Sequence, residues 1–198
     1  MRFFTSDIHF YDYDTLLIDD RPFPSVEEFD NFVIKTWNSQ AQKGDEIFVI
    51  GDFVDCDGKG YEGWKHSINY VKKINADVVL IIGNNEERVI KNWFDNDFNA
   101  FREYCISVGF KEVYKNLVIN VCDTDFFLTH KPKDRRNDML TLFGHLHRSC
   151  GLYKPYGFNI GCDLNHFRLY SEEDIEFMLN MKSTYWDKDK NLNMKIGE

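Results

Sequence analysis

No C-x-x-C pair occurs among the five cysteines Cys56, Cys105, Cys122, Cys150 and Cys162. An odd count without paired spacing argues against a disulfide framework and predicts reduced, mostly buried thiols. No apolar run approaches the roughly 20 residues that a membrane-spanning helix needs. The chain opens Met1-Arg2-Phe3-Phe4-Thr5-Ser6-Asp7, without the apolar stretch of a secretory leader. These absences set the expectation of a cytoplasmic protein with no membrane partner. Positive charge is also scarce: 24 Lys and Arg face 33 Asp and Glu, for a net charge of -9. That excludes a broad basic surface coating nucleic acid. A nucleotide substrate stays open, because bound cations can supply positive charge locally. No internal repeat and no linker interrupts the 198 residues, so one domain over 1–182 is expected, followed by a polar tail, 183–198.

What is present is globular: 43% hydrophobic and 16% aromatic residues. Short apolar runs alternate with helical patterns, the signature of an α/β fold. Ser25-Val26-Glu27-Glu28 reads as a capping box opening a helix with Val26, Phe29, Val33 and Trp37 on one face. Ile47 to Ile50 is a continuous apolar run, short enough for a strand buried on both faces. Trp64, Ile68 and Val71 predict a second helix, and Val78 to Ile82 another strand. Phe98, Phe101, Cys105 and Val108 mark a helix stopped by Gly109. From Phe110 onward short strands succeed one another, at Val113, Leu117 to Ile119, Phe126 to Leu128, Met139 to Phe143 and Phe158 to Ile160. Ser171 then caps a final helix carrying Ile175, Met178 and Leu179.

The chemistry lies at the C-terminal ends of these runs. Arg2 to Ser6 ends in Asp7-Ile8-His9, and Ile47 to Ile50 in Gly51-Asp52-Phe53-Val54-Asp55. Val78 to Ile82 ends in Gly83-Asn84-Asn85-Glu86. Phe126 to Thr129 ends in His130, and Thr141 to Phe143 in Gly144-His145-Leu146-His147. Each segment alone is also an ordinary strand end. Together, five strand-like segments deliver metal-ligand residue types at the end where open α/β sheets bind ligands. Two histidines, His66 and His166, stand outside this pattern and read as structural or solvent residues.

Asp7, His9, Asp52, Asn84, His130, His145 and His147 make seven candidate ligands. One tetrahedral zinc site needs four, whereas two cations sharing a bridging carboxylate accommodate the set. Mixed imidazole and carboxylate donors place Mn²⁺ first, with Fe²⁺, Zn²⁺ or Mg²⁺ as alternatives.

At these residues the sequence resembles the calcineurin-like metallophosphoesterase superfamily, whose pattern is D-x-H, G-D-x-x-D, G-N-H-D/E, a lone His, and G-H-x-H. It is similar to the small bacterial and phage members, also in Arg21-Pro22-Phe23 and Asn159 to Asp163. The resemblance implies a four-layer α-β-β-α sandwich, two mixed sheets face to face with helices outside. It implies one cation on Asp7, His9 and His147 and a second on Asn84, His130 and His145, with Asp52 bridging. Asp55 orients its loop. The implied reaction is hydrolysis of a phosphodiester, or of a phosphomonoester, by a metal-bridging hydroxide. Asp52, Asn85 and His147 are then the catalytic positions, and Asn84, Asn85 and Arg21 the substrate-binding ones.

One position departs from the pattern. The family's third motif carries a histidine beside the phosphate, and here it is Asn85, which can donate a hydrogen bond but not a proton. His66 or Arg21 are the candidates to fill the gap. The alternative reading is a metal-binding scaffold of the same fold acting through a protein partner. A nuclease on long DNA is disfavoured, since the nearest basic group, Lys131, Lys133, Arg135 and Arg136, contains Asp134 and reads as a solvated loop. The expected partner is a small phosphoester or nucleotide. Its identity would be set by the loops Phe10 to Pro24, Cys56 to Glu62 and Lys131 to Asp138, and the oligomeric state is open.

Overall fold

A computed structural model describes residues 1–55, 60–149, 151–153 and 156–182. Cys56, Cys150, the first part of the loop from Cys56 and the tail 183–198 lie outside the described residues. The strands are β1 (Arg2–Thr5), β2 (Glu46–Ile50), β3 (Asp77–Ile81), β4 (Glu112–Tyr114), β5 (Leu117–Val121), β6 (Thr124–Leu128), β7 (Leu140–Phe143), β8 (Leu152–Tyr153), β9 (Gly157–Asn159) and β10 (Tyr170–Ser171). The helices are α1 (Tyr13–Ile18), α2 (Val26–Gln40), α3 (Gly60–Ile68), α4 (Asn84–Trp93), α5 (Phe98–Val108) and α6 (Glu172–Met181).

Two mixed sheets result. The first has the order β10-β1-β2-β3-β4, parallel except for β10. The second has the order β5-β6-β7-β9-β8, with β6, β7 and β9 parallel and the edge strands antiparallel. Side chains alternate across each strand, so a run apolar at every position supplies two cores. Phe3, Ile47, Val49, Val78 and Leu80 point one way, onto Val33 and Trp37 of α2, Trp64 and Ile68 of α3, and Phe101 of α5. Phe4, Phe48, Ile50, Val79 and Ile81 point the other way, onto Phe126, Leu128, Leu142 and Phe158 of the second sheet. Helix α6 lies against β5 and β10 and sends Ile175 into this inter-sheet core. This is the α/β sandwich of two mixed sheets packed face to face with helices that the sequence leads one to expect.

Helix ends follow their local chemistry. Ser25 Oγ accepts from the Glu28 N–H at 3.2 Å to start α2. Gly109 ends α5 at φ +138°, where a side chain would be strained. Ser171 and Asp174 form a capping box on α6. Helices α1 and α4 go beyond the sequence reading. Among the described residues Cys105 and Cys162 are buried free thiols, while Cys122 is exposed. No helix of the described residues is long and apolar enough to cross a membrane.

Candidate metal centre

Five parallel strands, three in one sheet and two in the other, are each followed at their C-terminal end by a ligand-type residue. Asp7 follows β1, Asp52 follows β2, and Asn84 opens α4 just after β3. His130 follows β6, and His145 and His147 follow β7. Leaving a strand abruptly while turning a side chain inward requires an unusual backbone. Asp7 (φ +58°), His9 (+53°), Asp52 (+54°), His145 (+71°) and His147 (+44°) all occupy the left-handed region. That region costs a non-glycine residue of order 1–3 kcal/mol and clusters at functional sites. Asp, Asn and His tolerate it better than most residue types.

The motif glycines exist for close approach. A Cβ on Gly144 would lie 1.7 Å from Ser6 Oγ and 2.4 Å from Asp7 Oδ2. One on Gly51, itself at φ +86°, would lie 2.3 Å from His130 Nδ1.

The carboxylates are buried and held by directed donors. Asp7 accepts from Ser6 Oγ at 2.6 Å and from the His145 N–H, at 3.0 Å to each oxygen. Asp52 Oδ1 accepts from the Asn85 N–H at 2.9 Å. Its Oδ2 lies 3.4 Å from His130 Nε2 and 3.6 Å from His9 Nε2, between the two rings. His130 Nδ1 donates to the Ile50 carbonyl at 2.8 Å, which fixes the ring and turns Nε2 toward Asp52, Asp7 (3.9 Å) and Asn84 Oδ1 (3.0 Å). His147 Nε2 lies 3.8 Å from Asp7 Oδ1, and its Nδ1 donates to Asp19 Oδ2 at 2.5 Å. Behind them the buried Glu86 carboxylate accepts from the N–H groups of Gly83 (2.7 Å), Asp52 (3.0 Å) and Phe53 (3.0 Å), tying the second and third motifs together.

This density of charge shifts proton affinities. Burial alone would lower the His130 pKa, yet the Asp52 hydrogen bond and the Asp52 and Asp7 charges push it up to about 10. Burial opposes ionisation of Asp52, but His130 and His9 hold it well below the usual carboxylate range. Burial and then the Asp52 charge raise Glu86 to about 7, against its backbone donors. His145 is pushed down by burial and by His130.

Ligand atoms of Asp7, His9 and His147 all lie within 4.8 Å of one another, as do those of Asp7, Asp52 and His130. His9 Nε2 is buried and has no hydrogen-bond partner. A buried nitrogen left unsatisfied beside carboxylates fits a cation site, which would satisfy it. Of the seven candidate ligands, Asp7, His9, Asp52, Asn84, His130 and His147 converge. The His145 side chain stands at the exposed edge, its ring 5.2 Å from that of His130.

Arg21 requires correction as a substrate-binding residue. Its side chain is 1% exposed and pairs with Asp163, with Nε to Oδ1 at 2.9 Å and Nη2 to Oδ2 at 2.9 Å. It also donates to the carbonyls of Ile8 and Asp7, each at 2.8 Å. The guanidinium is buried between Asp163 and the carbonyls of the Asp7–His9 turn, so it supports that turn rather than facing a substrate. His66 sits exposed against the Tyr11 ring, 5.2 Å away, and among the described residues its ring contacts are to Tyr11 and Tyr70. Asn85 is buried at the ligand cluster, its Nδ2 3.4 Å from His9 Nδ1. The sequence reading gives no role to Asp19, Glu86 or Arg88. The position of Glu86 inside the third motif is the one available signal. Asp55, assigned to loop orientation, lies with His9 and Asp12 in a third buried group of ligand-type atoms within 4.8 Å.

The family model for calcineurin-like phosphoesterases matches residues 3–185. The chain belongs to the calcineurin-like phosphoesterase family. This phosphoesterase-family chain is 29% identical over 82 residues to an uncharacterized protein of Methanocaldococcus jannaschii, a match covering 41% of this chain and 44% of that one. It thus spans less than half the length of that relative. A protein of unknown function from Aquifex aeolicus superposes with a TM-score of 0.65 at 18% identity, over 90% of this chain and 98% of that one. A Pseudomonas putida nuclease superposes with a TM-score of 0.45 at 16% identity, over 74% and 61% of the two chains.

Proposed function

We propose that this phosphoesterase-family chain hydrolyses a small phosphoester, a diester or a monoester, with two divalent cations at the strand ends. The observation that carries the reading is the unsatisfied Nε2 of His9, buried beside Asp52 Oδ2 in a site whose carboxylates are held by directed donors. Asp7, His9 and His147 would hold one cation, and Asn84, His130 and His145 the other. Asp52, with Oδ2 between the His9 and His130 rings, would serve both. When bound, such a pair neutralises phosphoryl charge and supplies a water of lowered pKa. The chain's own residues fix the geometry: Glu86 sets the Asp52 turn, Arg21 the Asp7 turn, and Asp19 the His147 ring. Asn85 can orient a substrate oxygen but gives it no proton.

Mn²⁺ suits the mixed donors best, with Fe²⁺, Zn²⁺ or Mg²⁺ next. A small ester or nucleotide fits better than long nucleic acid, because two of the four residues of the basic group are paired within the protein. Lys131 pairs with Glu87 at 2.5 Å and Arg136 with Asp138 at 2.6 Å. Residues 1–182 would form the catalytic domain, and the buried free thiols suit a reducing cytoplasm.

The test is hydrolysis of bis-(p-nitrophenyl) phosphate and p-nitrophenyl phosphate by metal-stripped protein, with and without Mn²⁺, beside Asp52→Asn. Turnover that needs the cation and vanishes in the variant supports the reading. No turnover with Mn²⁺, Fe²⁺ or Zn²⁺ would replace it with the metal-binding scaffold.

A further inference from the structure

A cavity of about 200 Å³ lies beside the candidate centre and shares His130 with it. Its other walls come from the end of β3, α4, the β4–β5 link, β6 and the segment after His130. Phe126 and Leu128 fill the inter-sheet core. Alternation along the strand therefore turns Phe127 and Thr129 the other way. Phe127 is buried yet belongs to neither core, and with Ile82 it gives the cavity an apolar wall. Thr129 is only 6% exposed, and among the described residues its hydroxyl makes no hydrogen bond. Asn116 lines the same cavity, its amide likewise unengaged among the described residues. The charged residues of the lining balance, Lys115 and Lys131 against Glu87 and Asp134. Lys131 and Glu87 are themselves paired at 2.5 Å.

We propose that this cavity is a base-binding subsite, taking the nucleobase of a nucleoside phosphoester whose phosphorus lies at the candidate centre. The subsite deepens the phosphoester reading above, on which it rests. A pocket for a whole small ligand runs to roughly 300–1,000 Å³, so this volume suits one ring system of a larger molecule. A nucleobase has apolar faces and an edge of hydrogen-bond donors and acceptors. Phe127 and Ile82 match the faces. An amide supplies both a donor and an acceptor, and a hydroxyl can act as either, so Asn116 and Thr129 match the edge. A buried hydroxyl is normally hydrogen-bonded, and the base supplies the partner that Thr129 lacks. Balanced charge in the lining favours an uncharged ring over a second phosphate. His130, common to the cavity and the centre, joins the two for a ligand with a phosphate at one end and a ring at the other.

The experiment compares, by calorimetry on the Mn²⁺-loaded protein, the 5′-monophosphates of adenosine, guanosine, cytidine and uridine with ribose 5-phosphate. The last keeps the sugar and the phosphate and lacks the base. At least one nucleotide is expected to bind about 10- to 100-fold more tightly than ribose 5-phosphate, the scale of seating one base against an aromatic side chain. Asn116→Ala, on an exposed link, and Thr129→Val should each cut that preference about 3- to 10-fold, with ribose 5-phosphate affinity retained. Ribose 5-phosphate binding as tightly as every nucleotide, or a preference untouched in both variants, would overturn the subsite. The comparison needs no turnover, so the two readings part cleanly. A base preference in a protein that cleaves no ester leaves the subsite standing and removes the hydrolase. Cleavage of the p-nitrophenyl esters without any base preference does the reverse.

Discussion

His147 Nδ1 lies 2.5 Å from Asp19 Oδ2, so the carboxylate of one loop fixes the imidazole of another. A carboxylate behind a metal-binding imidazole orients the ring and raises its basicity. Asp19→Asn is expected to weaken Mn²⁺ binding about 10- to 100-fold with the fold intact, measurable by calorimetric titration. The pair also makes metal-free stability depend on pH. Burial opposes both charges, but the pair, together with Arg21 and His9 near Asp19 and Asp7 and Asp163 near His147, outweighs it, lowering Asp19 from 3.8 and raising His147 from 6.5. The Asp19 contribution is present above pH 3.8 and lost as pH falls through its lowered pKa. The His147 contribution is present below pH 6.5 and lost as pH rises through its raised pKa. Denaturant unfolding from about pH 6 to 9 should show that upper loss in the native protein and a flatter profile in Asp19→Asn. Identical profiles would remove the pair from the account.

Cation binding should register as stability. Saturation at 100 times the dissociation constant contributes about 2.7 kcal/mol, a shift of several degrees for a domain of this size. Thermal unfolding in chelator against Mn²⁺ should show that rise, and Asp52→Asn should abolish most of it. A melting temperature indifferent to Mn²⁺, Fe²⁺ and Zn²⁺ would count against the centre.

Removing Arg21 leaves Asp163 without its buried partner and frees the carbonyls of Asp7 and Ile8. Breaking a buried pair in this way costs about 3–5 kcal/mol. Arg21→Ala should therefore unfold at markedly lower denaturant, and Arg21→Lys should rescue little because an ammonium cannot match the fork. Full rescue by lysine would show that charge alone matters there.

Gly144→Ala would force a methyl group into Ser6 Oγ and Asp7 Oδ2. The expected loss is about 1–3 kcal/mol of stability, with weaker Mn²⁺ binding as Asp7 is displaced. Native-like unfolding and Mn²⁺ affinity together would show that the turn has slack.

The framework is readable because its strands are apolar on both faces, a pattern that Ile47 to Ile50 and Val78 to Ile82 show without ambiguity. Ligand order comes with it, since each motif abuts such a run. Helix α4 is harder to read: its first residues are motif residues, and only Val89 and Ile90 add apolar burial. Helix α1 buries only Thr15 and Leu16, too little for a period. Strands β8 and β10, at two residues each, are shorter than any alternation can reveal. The true partner of Arg21 lies 142 positions away, at Asp163. A long-range ion pair leaves no local pattern, and the same holds for Asp19 and His147.

The candidate centre gathers Asp7, His9, Asp52 and Asn84 from the ends of one sheet and His130 and His147 from the ends of the other. It is therefore a clasp across the sandwich. Hydrogen bonds from the His145 N–H to Asp7 and from His130 to the Ile50 carbonyl already fasten it. A cation seated there would join both halves, so that parting the sheets at that rim and releasing the ion would become a single event. A chelator would then act on the architecture as well as on the chemistry, unclipping one edge of a body held elsewhere by its apolar core.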